Sequence, residues 1–168
     1  MALTGSGQLK FSQMRDEFGG SGQVKFSDLY RGGSLVRANA GNNSSTNLAA
    51  NVPTSGEIQI ADFYSQARGF RKTFTEGATN QNASTIFGSD FGVDYPKEII
   101  INAGVELGAT NTSDEALQIN SAGAGTITIT NNGTISGAGG SANGGAGGDA
   151  FEATTACTLI NNGTIRAG

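Results

Sequence analysis

Short alternations of apolar and polar positions open the chain, and the same pattern occurs three times, at residues 6–15, 21–30 and 55–64. Each copy places an apolar–polar–apolar triplet after a Ser-Gly pair. A period of two predicts a short, half-buried strand. The residue after each triplet is small, namely Ser12, Ser27 and Ala61, and serine is a favourable helix N-cap. Each copy therefore predicts a turn, a strand, a cap and one or two helical turns.

Two interpretations of this repeat stay open from the residues alone. The copies form an ordinary small α+β core, or they pack their apolar positions on another subunit. Units this short bury little surface by themselves, so we favour a partner-bound role. The residues expected to contact the partner are Leu9, Phe11, Val24, Phe26, Leu29, Tyr30, Ile58, Ile60, Phe63 and Tyr64.

Residues 38–51 separate the second copy from the third and consist mostly of Ala, Asn, Ser, Gly and Thr. Small polar residues of this kind favour a loop or an extended path over a packed element. We interpret the segment as a linker. It either wraps a neighbouring subunit or lies in solvent.

From residue 95 onward, β-branched residues flank small corners. The stretch ITITNNGTI at 127–135 returns as CTLINNGTI at 157–165, and a looser copy lies at 99–108. Strands joined by corners at a fixed interval predict a β-solenoid, or β-prism-like layers formed by several chains. The corners, Asn-Gly in these two copies and Ala103-Gly104 in the looser one, suggest backbone positions with positive φ. In a solenoid the paired asparagines 131–132 and 161–162 would stack as hydrogen-bonded ladders.

An antiparallel hairpin at each Asn-Gly is the competing interpretation, because this dipeptide is also a strong hairpin signal. Between the two copies lies a glycine-rich run, residues 137–148. Such a run has no side chains to pack, so it forms either a flexible excursion or close-packed extended backbones, and we favour a surface excursion. Residues 144–152 match a calcium-binding nonapeptide, but that site needs ligands from successive turns and only one copy is present.

Composition limits the chemistry that the chain can carry. Of the 168 residues 14% are charged, 27 are glycine, and neither His nor Trp occurs. Without His there is no Ser/His/Asp set, and Cys157 is expected to pack as a small hydrophobe. The acids of the second half are interpreted as solvated loop residues, and no cofactor or metal is expected.

Net charge and hydropathy bear on the partners. The net charge is -4, and basic residues are scattered instead of clustered, which argues against a nucleic-acid partner. Residues 1–11 contain no apolar segment of the kind found in secretory signals, and no stretch has the length of a membrane span. Neither nucleic-acid binding nor membrane insertion is expected.

The stretches SGQVKFSDLYRGG (21–33) and VPTSGEIQIADFY (52–64) resemble the N-terminal segments of tail-fibre and related virion proteins of tailed bacteriophages, notably marine and cyanobacterial phages. YPKEIII (95–101), followed by TITNNGTI and the glycine-rich run, resembles the shaft of the same proteins. The resemblance implies a mainly β protein with short helices. It also implies three segments: N-terminal anchoring modules (1–70), a neck (71–94) and a β-rich shaft (95–168), assembled as a homotrimer.

The function implied by the resemblance is that of a structural virion protein and not an enzyme. Its N-terminal modules would attach to a tail, baseplate or adaptor protein, and its shaft would project towards a glycan or protein on the host. The protein would be assembled in the host cytoplasm and located in the virion. The alternatives are a head fibre or capsid decoration protein, a glycan-degrading tailspike and, for lack of an export signal less favoured, a bacterial surface adhesin.

Overall fold

A computed structural model describes residues 2–38, 45–120 and 123–168. The chain divides into two compact units, which meet in sequence between Phe70 and Arg71. The first unit contains helix α1 (Phe11–Glu17), strand β1 (Thr46–Asn47) and two short 3-10 helices (Phe26–Leu29 and Ile60–Phe63).

The second unit begins with three strands and two short helices, namely β2 (Phe70–Phe74), β3 (Ala78–Thr79), β4 (Gln81–Asn82), α2 (Ala83–Phe87) and a 3-10 helix (Gly88–Asp90). Two further sets of three strands follow: β5 (Lys97–Ile101), β6 (Glu106–Gly108) and β7 (Leu117–Ile119), then β8 (Ile127–Asn131), β9 (Thr134–Ser136) and β10 (Phe151–Ala153). The last strands are β11 (Thr158–Asn161) and β12 (Thr164–Arg166).

These strands build a three-sided β-solenoid of about three turns, because successive strands go to three different sheets. The first sheet has the order β2-β5-β8-β11, the second β3-β6-β9-β12, and the third β4-β7-β10. β8 lies parallel to both β5 and β11, with Ile99 opposite Ile129 and Thr128 opposite Thr158. The β-solenoid predicted from the repeats is confirmed. Residues 71–94, expected to form a neck, supply β3 and β4, which pair with β6 and β7.

The solenoid core follows from the alternation within each strand. In β5 and β8 every second residue is buried, because neighbouring side chains of a strand point to opposite faces of its sheet. Parallel in-register pairing stacks the inward residues of successive coils. The fully buried apolar side chains contributed by the three sheets include Ile99, Ile101, Ile129, Leu107, Ile135, Leu117 and Ile119. One chain thus encloses this core by itself.

The hairpin interpretation of the Asn-Gly corners is wrong. β8 and β9 flank the corner at Asn132 and Gly133, yet they lie in different sheets, and each pairs in parallel with strands of the neighbouring coils. The expected positive φ is wrong at both Asn-Gly corners, since Gly133 and Gly163 are not among the glycines with positive φ, but it is confirmed at the Ala-Gly corner of the looser copy, where Gly104 has φ of 79°. Glycine is required for space instead: a Cβ atom on Gly133 would overlap the carbonyl oxygen of Val105, and one on Gly163 would overlap that of Gly133.

The Asn ladders predicted for the solenoid are confirmed. The side-chain amide of Asn131 donates to Oδ1 of Asn161 over 2.8 Å, and that of Asn162 donates to Oδ1 of Asn132 over 3.0 Å. Asn131 is fully buried, and it also accepts a hydrogen bond from the backbone N–H of Gly133. The inner ladder therefore fixes the corner as well as the stacking of the coils.

The glycine-rich run joins β9 to β10, and residues 139–147 are exposed. Its base is held by backbone contacts, since the N–H of Gly148 donates to the carbonyl of Ala138 over 2.8 Å. The N–H of Gly137 donates to the carbonyl of Arg166 over 2.9 Å. A Cβ atom on Gly137 would overlap the carbonyl oxygen of Gly148. Glycine at the base thus permits an approach of two backbones that side chains would prevent.

The strands predicted for the three N-terminal copies are wrong. The triplets starting at Leu9, Val24 and Ile58 contain no strand, and the helices begin at Phe11, Phe26 and Ile60, ahead of the predicted caps. The middle residue of each triplet is the actual N-cap and has extended backbone, and a positive-φ glycine turn stands before it. A period of two over three residues is too short to distinguish a strand from a turn followed by a helix.

Of the predicted linker, residues 39–44 lie outside the described residues. The part from Thr46 onward packs in the first unit, where Asn47 and Ala49 are buried. The side-chain amide of Asn47 donates to the carbonyl of Arg37 over 2.6 Å, and its Oδ1 accepts from the N–H of Ala49 over 2.9 Å. A short polar residue thus replaces the backbone partners that this turn lacks.

Candidate functional site

The three N-terminal copies have the same local geometry. Gly7, Gly22 and Gly56 have φ of 88°, 67° and 84°, a region that glycine enters without steric cost. Three residues further on, the backbone N–H of the N-cap residue donates to the side chain at the third helical position. These bonds join Lys10 to Gln13 (2.7 Å), Lys25 to Asp28 (2.9 Å) and Gln59 to Asp62 (2.7 Å).

The side chain at the third helical position thus satisfies the N-cap N–H, which is one half of a capping box. In the first two copies the N-cap residue is lysine, whose side chain cannot accept the reciprocal bond. The bond from the N-cap N–H is therefore the half of the box that fixes the start of the helix. At Asp28 the N–H of Lys25 and the hydroxyl of Ser34 hold the pKa of the carboxyl group below its usual value. Asp28 and Asp62 therefore stabilise the turn before the helix.

Contacts between the copies join all three into a ring. The rings of Phe11 and Phe26 meet edge to face with centroids 5.3 Å apart. The hydroxyl of Tyr30 in the second copy donates to the carbonyl of Gly56 in the third. The hydroxyl of Tyr64 in the third copy donates to the carbonyl of Gly7 in the first, over 2.6 Å.

The ring encloses one core to which every copy contributes an equivalent residue. Met14, Leu29 and Phe63 occupy the same position in the three copies, and each is at most 2% exposed. They share their cluster with Leu3, Phe18, Val36 and Val52 from outside the repeats. The copies therefore form a self-contained core as well as an outer surface.

The ten residues predicted to bind a partner divide between that core and the surface. Leu9, Leu29 and Phe63 are buried, and Val24, Ile58 and Tyr64 are half-buried against the core. Tyr30 is also half-buried. The remaining three, Phe11, Phe26 and Ile60, are 36%, 59% and 41% exposed. We call Phe11, Phe26 and Ile60 the apolar trio.

The apolar trio occupies one repeat position, the first residue of each helix. Large apolar side chains at this level of exposure are uncommon among the described residues, where Ile160 is another example. Lys10 and Lys25 precede Phe11 and Phe26 and are exposed. The trio thus offers exposed apolar and aromatic contact area, which is typical of protein contacts, with a lysine beside each phenylalanine.

In the solenoid, Lys97 is a buried cation that sequence inspection did not single out. Its Nζ donates to the backbone carbonyls of Val93, Tyr95 and Ala124 over 2.7, 3.0 and 2.6 Å. Burial lowers its pKa from 10.5 to about 8, against the opposing influence of Asp90 and Asp94. Because one ammonium group binds three backbone carbonyls, Lys97 has a structural role: it holds the backbone together at the start of β5.

The third sheet carries a polar ladder on its outer face. Asn82, Gln118 and Glu152 are register partners on β4, β7 and β10. The amide of Asn82 donates to Oε1 of Gln118 over 2.6 Å, and the amide of Gln118 donates to Oε2 of Glu152 over 2.6 Å. We call these three residues the amide ladder.

Catalytic and metal sites find little support in the described residues. No group of three Asp, Glu, Cys or His side chains there is placed to hold a metal ion, which includes the candidate calcium motif at 144–152. Cys157 is half-buried, and burial raises the pKa of its thiol, which reduces its reactivity. No helix within the described ranges has both the length and the apolar character needed to cross a membrane.

Comparison with known proteins gives one family. The model of the phage tail fibre adhesin Gp38 family matches residues 69–168, which take in the whole solenoid from β2 to β12. Searches of curated proteins and of solved structures found no match. Because the matched segment covers more than half of the chain, the protein belongs to the phage tail fibre adhesin Gp38 family.

Proposed function

We propose that the protein attaches to another virion protein through the apolar trio and carries the solenoid as the part directed to the host. The family assignment supports a tail fibre role in host attachment and a place in the virion. The observation that carries the proposed anchoring is the exposure of Phe11, Phe26 and Ile60 at one repeat position on a closed ring. The first unit lies outside the segment that the family model matches.

The buried members of the predicted set have a different role in this proposal. Leu9, Leu29 and Phe63 fill the core, so their substitution would unfold the unit instead of removing a contact. The trio projects outward, and burying a large aliphatic or aromatic side chain contributes roughly 1.5–3 kcal/mol. Three such side chains with two flanking lysines supply the centre of a protein contact.

The tail location is favoured over a head fibre or capsid decoration protein by the tail fibre family match. Binding is favoured over glycan hydrolysis because the matched family is one of adhesins. The homotrimer implied by the resemblance stays a prediction. Since a single chain encloses the solenoid core, a trimer would be held together by contacts outside that core.

Incorporation into particles tests the anchoring. Phe26→Asp places a charge at the most exposed member of the trio, and we expect the copy number in purified particles, measured by quantitative mass spectrometry, to fall at least tenfold. Ile160→Asp is the matched control, because Ile160 is 46% exposed but lies on β11 of the solenoid. Normal incorporation of the Phe26→Asp chain, with circular dichroism unchanged, would refute anchoring by the trio.

A further inference from the structure

An open polar groove of about 190 Å³ lies beside β4 and β7 in the solenoid. Its lining consists of amide and carboxylate side chains: Asn80, Gln81, Asn82, Asp114, Glu115 and Gln118. We propose that this groove binds one unit of a neutral saccharide through its hydroxyl groups. The proposal rests on the host-attachment function, since the sugar would be one displayed on the host surface.

One wall of the groove is held in place before any ligand arrives. Asn80 has φ of 50°, a left-handed conformation that costs about 1 kcal/mol or more outside glycine. Its amide donates to Oγ1 of Thr110 over 2.6 Å and to Oδ2 of Asp114 over 3.0 Å, and its Oδ1 accepts from the N–H of Thr110 over 2.9 Å. Asn111 also donates to Oδ2 of Asp114. These bonds fix the Asp114 carboxylate at the rim.

Hydrogen-bond donors come from the amide ladder. A primary amide has two N–H groups, and the bonds from Asn82 to Gln118 and from Gln118 to Glu152 each use one of them. Among the described residues no hydrogen bond uses the second N–H of Asn82 or of Gln118, so both can donate to a ligand. The ladder also fixes which end of each amide is the nitrogen, because Glu152 as a carboxylate can only accept.

Carboxylate acceptors line the same groove as these donors. Glu115 is half-buried, and within the part of the chain that the structure describes its carboxylate makes no hydrogen bond or ion pair. The second oxygen of Asp114 adds another acceptor. A sugar hydroxyl both donates and accepts, so adjacent hydroxyls can accept from the amides and donate to the carboxylates.

The charge of the groove selects among sugars. Two carboxylates line it and no basic side chain does, so an anionic sugar would be repelled. The volume admits about one pyranose ring. Because aromatic stacking is absent from the lining and each polar contact replaces one with water, we expect a dissociation constant on the order of 1 mM.

Saturation-transfer NMR on the full chain tests this proposal. The probes are the methyl glycosides of glucose, galactose, mannose and N-acetylglucosamine, with sialyllactose as the anionic comparison. We expect signal from at least one neutral glycoside and weaker or no signal from sialyllactose. Glu115→Gln and Gln118→Leu should each weaken binding at least fivefold, whereas Glu57→Gln, an exposed carboxylate of the first unit, should leave it unchanged.

The remaining outcomes overturn the proposal. Absence of signal from all four neutral glycosides, preference for sialyllactose, or binding that both groove variants retain would each refute a neutral-saccharide groove. Binding of the labelled chain to cells that the phage infects is measured in parallel. Cell binding without glycoside binding refutes the groove alone, whereas failure of the wild-type chain to bind cells refutes the host-attachment function on which it rests.

Discussion

The hydroxyl of Tyr64 donates a 2.6 Å hydrogen bond to the carbonyl oxygen of Gly7, 57 residues earlier in the chain. This bond connects the third N-terminal copy to the first, and it ends on the positive-φ glycine that opens the first module. Tyr30 makes the equivalent bond to Gly56. The aromatic residue that closes one module therefore stabilises the turn that opens another.

We predict that Tyr64→Phe weakens the first unit by about 1 kcal/mol, the usual net contribution of one such hydrogen bond. Amide hydrogen exchange of the core residues Met14 and Phe63 measures the effect separately from the solenoid. Tyr30→Phe should behave similarly, because it removes the equivalent bond. Exchange rates unchanged in both variants would show that the hydroxyl contacts contribute nothing to the ring.

The corner glycines of the solenoid provide a second prediction. Gly133→Ala should destabilise the solenoid by roughly 2 kcal/mol or more, because the new Cβ overlaps the carbonyl of Val105 and neighbouring backbone must move. Gly139→Ala is the control, since a Cβ there meets no atom within 4 Å. Thermal unfolding followed by circular dichroism compares the two variants. Equal melting temperatures would contradict the spatial role assigned to Gly133.

The two asparagines of the same corner differ in burial, which gives a third prediction. Asn131 is buried and bonded to Asn161, Gly133 and the carbonyl of Thr164. Asn132 is exposed and bonded to Asn162. We expect Asn131→Ala to cost about 2 kcal/mol, since buried polar groups lose their partners, and Asn132→Ala at most about 0.5 kcal/mol. Urea unfolding, followed by a signal from the solenoid, measures the unfolding free energy of each variant. Similar losses of unfolding free energy in Asn131→Ala and Asn132→Ala would contradict the prediction.

The sequence predicted the solenoid because its repeat is explicit in the residues. ITITNNGTI (127–135) and CTLINNGTI (157–165) differ little. Thr128 pairs with Thr158, which occupies the same position in the second copy. The role of the corner glycine was missed. An Asn-Gly pair suggests a particular backbone conformation within one chain segment, whereas Gly133 is needed because a neighbouring coil approaches closely. Such an approach depends on stacking and cannot be read from local sequence.

The N-terminal copies were recognised as repeats, but their local structure was not. The bonds from Lys25 to Asp28 and from Gln59 to Asp62 place the helix start ahead of the small residue expected at the cap, which is Ser27 in the second copy and Ala61 in the third. The signal was present as an acid or glutamine three residues after the polar residue of each triplet, namely Gln13, Asp28 and Asp62. Which apolar residues face outward was beyond the sequence, because Phe26 and Leu29 lie on one short helix and only packing in the ring separates them.

The pH dependence of the solenoid gives the last prediction, through Lys97. Its pKa is about 8 in the folded protein against 10.5 when unperturbed, chiefly because of burial. Below pH 8 the lysine is protonated in both states, and burial of the charge reduces stability. Between pH 8 and 10.5 the unfolded chain holds a proton that the folded chain has released, so this group makes folding more favourable as pH rises. The gain is on the order of 3 kcal/mol over that interval.

Lys97→Met removes this titration while keeping most of the side-chain volume. The difference in unfolding free energy between wild type and variant, measured from pH 7 to pH 10.5, cancels the titration of the other groups. That difference should shift in favour of the wild type as pH rises, because the penalty of the buried ammonium disappears while the neutral amine, with two N–H groups, still donates to two of its three carbonyl partners. A difference that does not change with pH would show that Lys97 keeps its ordinary pKa in the folded solenoid, with the three carbonyls fully offsetting the cost of burial.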